Sequence, residues 1–135
     1  MHKRTVLLAA LAFSTILPAT TNSAQIAFVS PTVTPIEVFH PYDVITIGAS
    51  SLGATPGTNY RLTWYLMGPV ADMHSVTGQG PLTSYITHWP SVSGPMPEGR
   101  YWVYHVLEEQ DGQGWTVVDQ ELAEFFVEGG PEYEQ

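Results

Sequence analysis

Apolar and polar side chains alternate with a period of two along most of the chain beyond residue 25, the mark of half-buried β-strands. In DVITIGAS (43–50), Val44, Thr46 and Gly48 point one way, and Ile45, Ile47 and Ala49 the other. In YRLTWYLM (60–67), Tyr60, Leu62, Trp64 and Leu66 form one large apolar face, expected in the core. Arg61, Thr63, Tyr65 and Met67 share the opposite face. RYWVYHVLEE (100–109) is the strongest strand. Tyr101, Val103, His105 and Leu107 alternate with Trp102, Tyr104 and Val106, so both faces are bulky, as in a central strand. LTSYITHW (82–89) adds β-branched and aromatic content. IAFVS (26–30) reads as a first edge strand, with IEVF (36–39) continuing it past a proline break. AEFFVE (123–128) reads as the last strand. A helical spacing through Leu122, Phe125 and Phe126 is open on pattern alone, but FFVE runs on to Gly-Gly and reads more simply as a strand.

The intervening stretches carry turn chemistry. SSLGATPGTN (50–59) and PSVSGPMPEG (90–99) are rich in glycine and proline. GPVADMHSVTGQGP (68–81) is predicted as a long loop with a brief helical turn at 70–74. Asp111-Gly112 is a favoured turn pair, because glycine accepts positive φ and aspartate caps a turn. About seven short strands separated by turns pack as an all-β, two-layer antiparallel sandwich.

The start of the chain changes the picture of where this domain works. His2, Lys3 and Arg4 precede a mostly apolar run from Thr5 to Ala19, and small polar residues lead to a cleavage point after Ala24. That order is the layout of a secretory signal peptide. The expected organisation is a signal at 1–24, one β-sandwich domain at 25–129 and a flexible tail at 130–135. The product is expected in the periplasm or outside the cell. Removing 24 of the 135 residues leaves 111, enough for one core. The chain has no cysteine, so disulfides contribute nothing, and 44% apolar content must supply the core instead.

Charge narrows the partners. Lys3 and Arg4 leave with the signal, so two basic side chains face thirteen acidic ones, a formal charge of −11. Such a surface repels phosphate backbones and anionic lipid, which argues against nucleic acid and membrane partners. No later segment is long enough to insert in a membrane.

The run from Pro97 to Val127 resembles the end of bacterial immunoglobulin-like and fibronectin-like domains. Pro97, Gly99 and Tyr101 match their Pro-x-Gly-x-Tyr element, and Phe125 and Val127 match their alternating final strand. Trp64 is similar to their core tryptophan on the third strand. The resemblance implies an immunoglobulin-like sandwich, here without the paired cysteines of antibody domains. PEGRYWVYHVLEEQDGQG is also similar to small periplasmic copper-binding proteins of the CopC type. Those proteins place a histidine ligand at the mature N-terminus, where Gln25 stands here. They usually follow Asp-Gly with histidine, where Gln113 stands.

Candidate chemistry is sparse. Glu108, Glu109 and Asp111 lack the regular spacing of a calcium loop. Adjacent residues on a strand do not supply the separated carboxylates of a glycosidase; the hairpin turn is the expected role. No serine sits in Gly-x-Ser-x-Gly, and GATPG (53–57) lacks the lysine of a phosphate loop. The reading is therefore a non-enzymatic binding or interaction module, without cofactor. Its partner is a protein or carbohydrate meeting Tyr65, Tyr85, Trp89, Trp102 and Tyr104. The alternative is a periplasmic copper protein using the soft-ligand set Met67, Met73, His74, His88 and Met96. Edge strands of such a sandwich also leave a homodimer open.

Overall fold

A computed structural model describes residues 24–129. Residues 1–23 of the expected signal and the tail at 130–135 lie outside the described residues. The elements in order are β1 (Gln25–Ser30), β2 (Glu37–Phe39), β3 (Ile45–Leu52), β4 (Asn59–Met67), β5 (Asp72–Gln79), β6 (Thr83–His88), the single helical turn α1 (Pro90–Ser93), β7 (Gly99–Asp111) and β8 (Gly114–Val127). They form two sheets, one with strand order β1-β3-β6 and the other β2-β8-β7-β4-β5. The fold is an all-β sandwich. Every pairing is antiparallel except that of Glu37–Phe39 with Phe125–Val127, which is parallel. The two-sided strand β7 occupies the middle of the five-stranded sheet, where its bulky pattern places it.

Three expectations need correction. The predicted loop at 68–81 contains strand β5, paired with β4 from Asn59↔Gln79 to Leu66↔Asp72. Its sequence, DMHSVTGQ, has weak hydrophobic contrast, so pairing with a strong neighbour rather than intrinsic pattern makes it a strand. The last strand is not a short AEFFVE but fourteen residues continuous through WTVV. A shift in register between Leu107 and Glu108 absorbs an extra residue there, which hid the continuity in the sequence. The helical option at 119–126 is excluded by the same ladder. Finally, IEVF does not continue β1; β2 crosses to the other sheet and pairs with β8.

The two sheets enclose two apolar groups. One joins Ile45 and Ile47 of β3 with Trp64, Tyr101, Val103 and Phe125 of the opposite sheet. The other joins Ala49 with Tyr60, Leu62, Leu82 and Leu107. Burying a side chain of this kind stabilises by roughly 1.5–3 kcal/mol. Tyr101 explains the Pro-x-Gly-x-Tyr spacing. Its ring stacks on Phe125 at 4.9 Å, and its hydroxyl donates to the carbonyl of Pro97 at 2.6 Å, tying the start of β7 to the preceding turn. Gly48 permits a close approach of β3 and β6: a Cβ there would lie 2.0 Å from the carbonyl oxygen of Ser84 and 2.6 Å from the Tyr85 ring. On the far side, the Ile26 amide of β1 donates to the Asp119 carboxylate at 2.8 Å, linking the two sheets along one edge.

Candidate functional site

Strand alternation decides where each candidate residue goes. Trp64 and His74 are directly paired across β4 and β5 and face inward, as does His105 beside Trp64 on β7. Tyr65 and Met73 are likewise paired but face outward. The Met/His set is therefore divided. Met67 and Met73 are exposed on the outer face of the five-stranded sheet, Met73 at 56%. His74 lies on the inner side, stacked on Trp64 at 5.9 Å, with its Nδ1 sharing a 2.7 Å hydrogen bond with Ser84 Oγ. His88 contacts the Gly94 carbonyl through Nε2 at 2.9 Å. Met96 is in the core at 4% exposure, packed with Ile45, Trp64 and Tyr101. Two thioethers and the remaining ligands thus face opposite sides of one sheet. Among the described residues, no three of His, Cys, Asp and Glu are grouped to hold a metal ion.

The acidic stretch is built into a hairpin. Asp111 pairs with Gly114 across the turn. Its carboxylate accepts from the Gln113 amide at 2.7 Å and from the Thr116 hydroxyl at 3.0 Å. Those bonds, the Gln113 amide first, hold Asp111 below the ordinary carboxylate range. Glu108 faces outward and meets Arg61 at 2.8 Å and 3.1 Å, a two-pronged pair.

The aromatic candidates separate in the same way. Tyr85 stands on the outer side of the three-stranded sheet, 6.4 Å from Phe28, and Trp89 is exposed at the bend before α1. Tyr65, Trp102 and Tyr104 share the outer face of the five-stranded sheet. There the register sets Tyr65 against Tyr104 and Met67 against Trp102, with Leu122 next to Tyr104 and Glu124 next to Trp102. The Tyr65 and Tyr104 rings stack at 6.2 Å, and the Tyr104 hydroxyl donates to Gln120 Oε1.

Sequence reasoning missed the rest of this face. Trp115 lies under the Arg61 guanidinium at 4.3 Å. Arg100 covers Trp102 at 5.0 Å and reaches Phe126 at 5.8 Å, while pairing with Glu124. Leu122 is 53% exposed and Val38 of β2 is exposed at the far edge. The available signal was the alternation of Leu122, Glu124 and Phe126 with Ala123, Phe125 and Val127. It required reading 114–127 as one strand. Both arginines of the described residues lie on this face, each clamped by a glutamate and each over an aromatic ring. The Glu108 hydrogen bond raises the proton affinity of Arg61 above its ordinary range. The result is a half-exposed aromatic and thioether surface whose charges are compensated locally. Among the described residues no helix is long and apolar enough to cross a membrane. No family model matches this chain, nor does any curated protein sequence.

Proposed function

We infer that the protein is an exported, non-enzymatic binding module that engages a protein partner through the outer face of its five-stranded sheet. One observation carries this reading. Tyr65, Met67, Met73 and Leu122 stand exposed together beside Trp102 and Tyr104, with Arg61 and Arg100 at opposite ends of the patch. Aromatic residues, methionine and arginine are the side chains enriched at protein interfaces. Contiguous exposed apolar surface on a small domain marks an interaction site more often than an accident of packing. Export rests on the basic-apolar-polar leader of the sequence.

A protein suits this face better than a sugar. Carbohydrate stacking needs a flat ring face open to solvent. Here Trp115 and Trp102 are overlaid by guanidinium groups, and Tyr65 and Tyr104 stack on each other. Because both arginines are already paired with glutamates, the fitting partner presents apolar side chains rather than a field of one sign. Its binding should depend only weakly on salt.

Site-specific photo-crosslinking in the exporting cell tests the reading. A photoreactive residue at Tyr104 is expected to yield a discrete protein adduct, and one at Tyr85, on the other sheet, is not. Adducts from both positions alike, or from neither, would sink the assignment.

A further inference from the structure

We propose that strand β5 is a self-association edge, through which a second copy of this chain extends the five-stranded sheet into a continuous ten-stranded one. The case starts from how the four edge strands differ. An open edge offers unpaired backbone groups to any extended chain, and proteins blunt such edges with short strands, prolines, bulges, charges or lysines. β1 has a register irregularity between Ile26 and Phe28, runs into Pro31 and has its Ile26 amide bonded to Asp119. β2 is only three residues long and lies between Pro35 and Pro41. β6 is six residues long, enclosed by Pro81 and Pro90.

β5 has none of these devices. It runs eight residues in unbroken register with β4, and among the described residues no strand pairs with its other side. Its sequence, DMHSVTGQ, holds no proline and no lysine, and its single charge, Asp72, sits at one end. In a strongly acidic chain this is a nearly neutral, regular edge, where two copies can approach without bringing like charges face to face.

The geometry limits the pairing. A two-fold axis perpendicular to the sheet keeps the outer face of one copy continuous with that of the other, and opposed residues must then share a face. Two registers centre the contact. One sets Val76 opposite Val76 of the second copy and Ser75 opposite Thr77. The other sets Ser75 opposite Ser75 and Met73 opposite Thr77. In neither does Asp72 oppose Asp72. The proposal does not rest on the reading of the aromatic face. If both hold, Met73 and Tyr65 of each copy come to flank the joint, and the face becomes two-sided and bivalent.

Sedimentation velocity of the purified protein, from micromolar to sub-millimolar concentration, tests it. A reversible monomer–dimer equilibrium is expected. The double variant Ser75→Lys/Thr77→Lys places lysine opposite lysine in both registers, on side chains that are exposed in the monomer. It should weaken dimerisation by about ten-fold or more. Tyr104→Ala, away from the edge, should leave dimerisation unchanged. Hydrogen exchange of wild-type protein gives a readout independent of the variants: β5 amides should exchange more slowly as concentration rises. A protein monomeric throughout the range overturns the proposal, whether β5 then takes an extended segment of another protein or none. So does a dimer that survives the double lysine variant, one that Tyr104→Ala abolishes, or β5 exchange indifferent to concentration.

Discussion

On the inner faces of β4 and β7, Trp64, Tyr101 and His105 are wholly removed from water, whereas on the outer faces of the same strands Tyr65, Trp102 and Tyr104 keep part of their surface in it. The inner side leaves some of its polar atoms unsatisfied, while the outer side pairs its own. Inside, Trp64 Nε1 and both nitrogens of His105 have no hydrogen-bond partner among the described residues. Outside, Arg61 is held by Glu108, Thr63 by Ser75, Tyr104 by Gln120 and Arg100 by Glu124. An unsatisfied buried polar group costs about 1–3 kcal/mol, so the inner face keeps its two at the expense of stability. On the outer face these polar bonds cross between neighbouring strands, and those of Arg61, Arg100 and Tyr104 also hold aromatic rings. Changes inside should therefore act on folding, and changes outside on the partner contact proposed above.

The largest test of that contrast is acid. Burial pushes the proton affinity of His105 down to about 4, from 6.5. Between those values the unfolded chain binds a proton that the folded chain does not, so stability rises with pH across that window and is lost as pH falls through it. Above it the contribution is complete, and below it no more is lost. The full loss is about 3 kcal/mol. Glu121 stands opposite His105 in the register, and His74 flanks Trp64 on the other side. Comparison with His105→Leu isolates the imidazole. Urea midpoints at about pH 7 and about pH 4 should differ much less in that variant than in the wild type, and its stability near neutrality should be equal or higher. An unchanged pH slope in His105→Leu would show that the buried ring is not the acid-sensitive element.

A smaller effect is expected where the inner face does satisfy a polar atom. Tyr101→Phe keeps the ring on Phe125 but removes the donor to the Pro97 carbonyl. The expected cost is about 1.5 kcal/mol at neutral pH, read as a lower urea midpoint without a change in slope. A negligible cost would mean that the start of β7 is set by packing alone.

The legible and illegible parts of the molecule follow the same division. The inner face of β4 could be read from the chain because Tyr60, Leu62, Trp64 and Leu66 alternate with the less apolar Arg61, Thr63 and Tyr65, and burial preserves that contrast; β7, bulky on both sides, declares its central place but not which side is inside. Trp102 and Tyr104 could be placed on one face by parity, while Tyr65 joins them only through the register of β4 on β7. β5 could not be found, because Met73, Ser75 and Thr77 against His74, Val76 and Gly78 is a pattern of no strong sign. Only its partner β4 makes it a strand. Trp115 was hidden by the register shift at Leu107/Glu108, which moves the parity of the first part of β8 relative to the rest. The Met/His set looked coherent in the sequence because residue type carries no record of face. Met73 and His74 are neighbours in the chain and point to opposite sides of the sheet.

The smallest expected effect on folding comes from the outer face itself, at Arg61. Its guanidinium donates twice to Glu108 and lies 4.3 Å over the Trp115 ring, so it is the most fully engaged cation of the face. Yet a third of its side chain remains in water, and a pair so exposed is screened. Arg61→Gln removes both the ion pair and the cation–ring contact and should lower stability by less than about 1 kcal/mol. Glu108 is the more buried partner, so its loss of the cation dominates that cost, and the double variant Arg61→Gln/Glu108→Gln should recover part of it. The tryptophan emission should change in both variants, because Trp115 loses its cap while the core Trp64 does not move. A cost for Arg61→Gln as large as the acid effect at His105 would make the outer face a structural element, and the division of labour between the two sides of β4 and β7 would fail. A small cost with altered emission would show that these bonds fix the posture of a surface ring and leave the fold to the inner side.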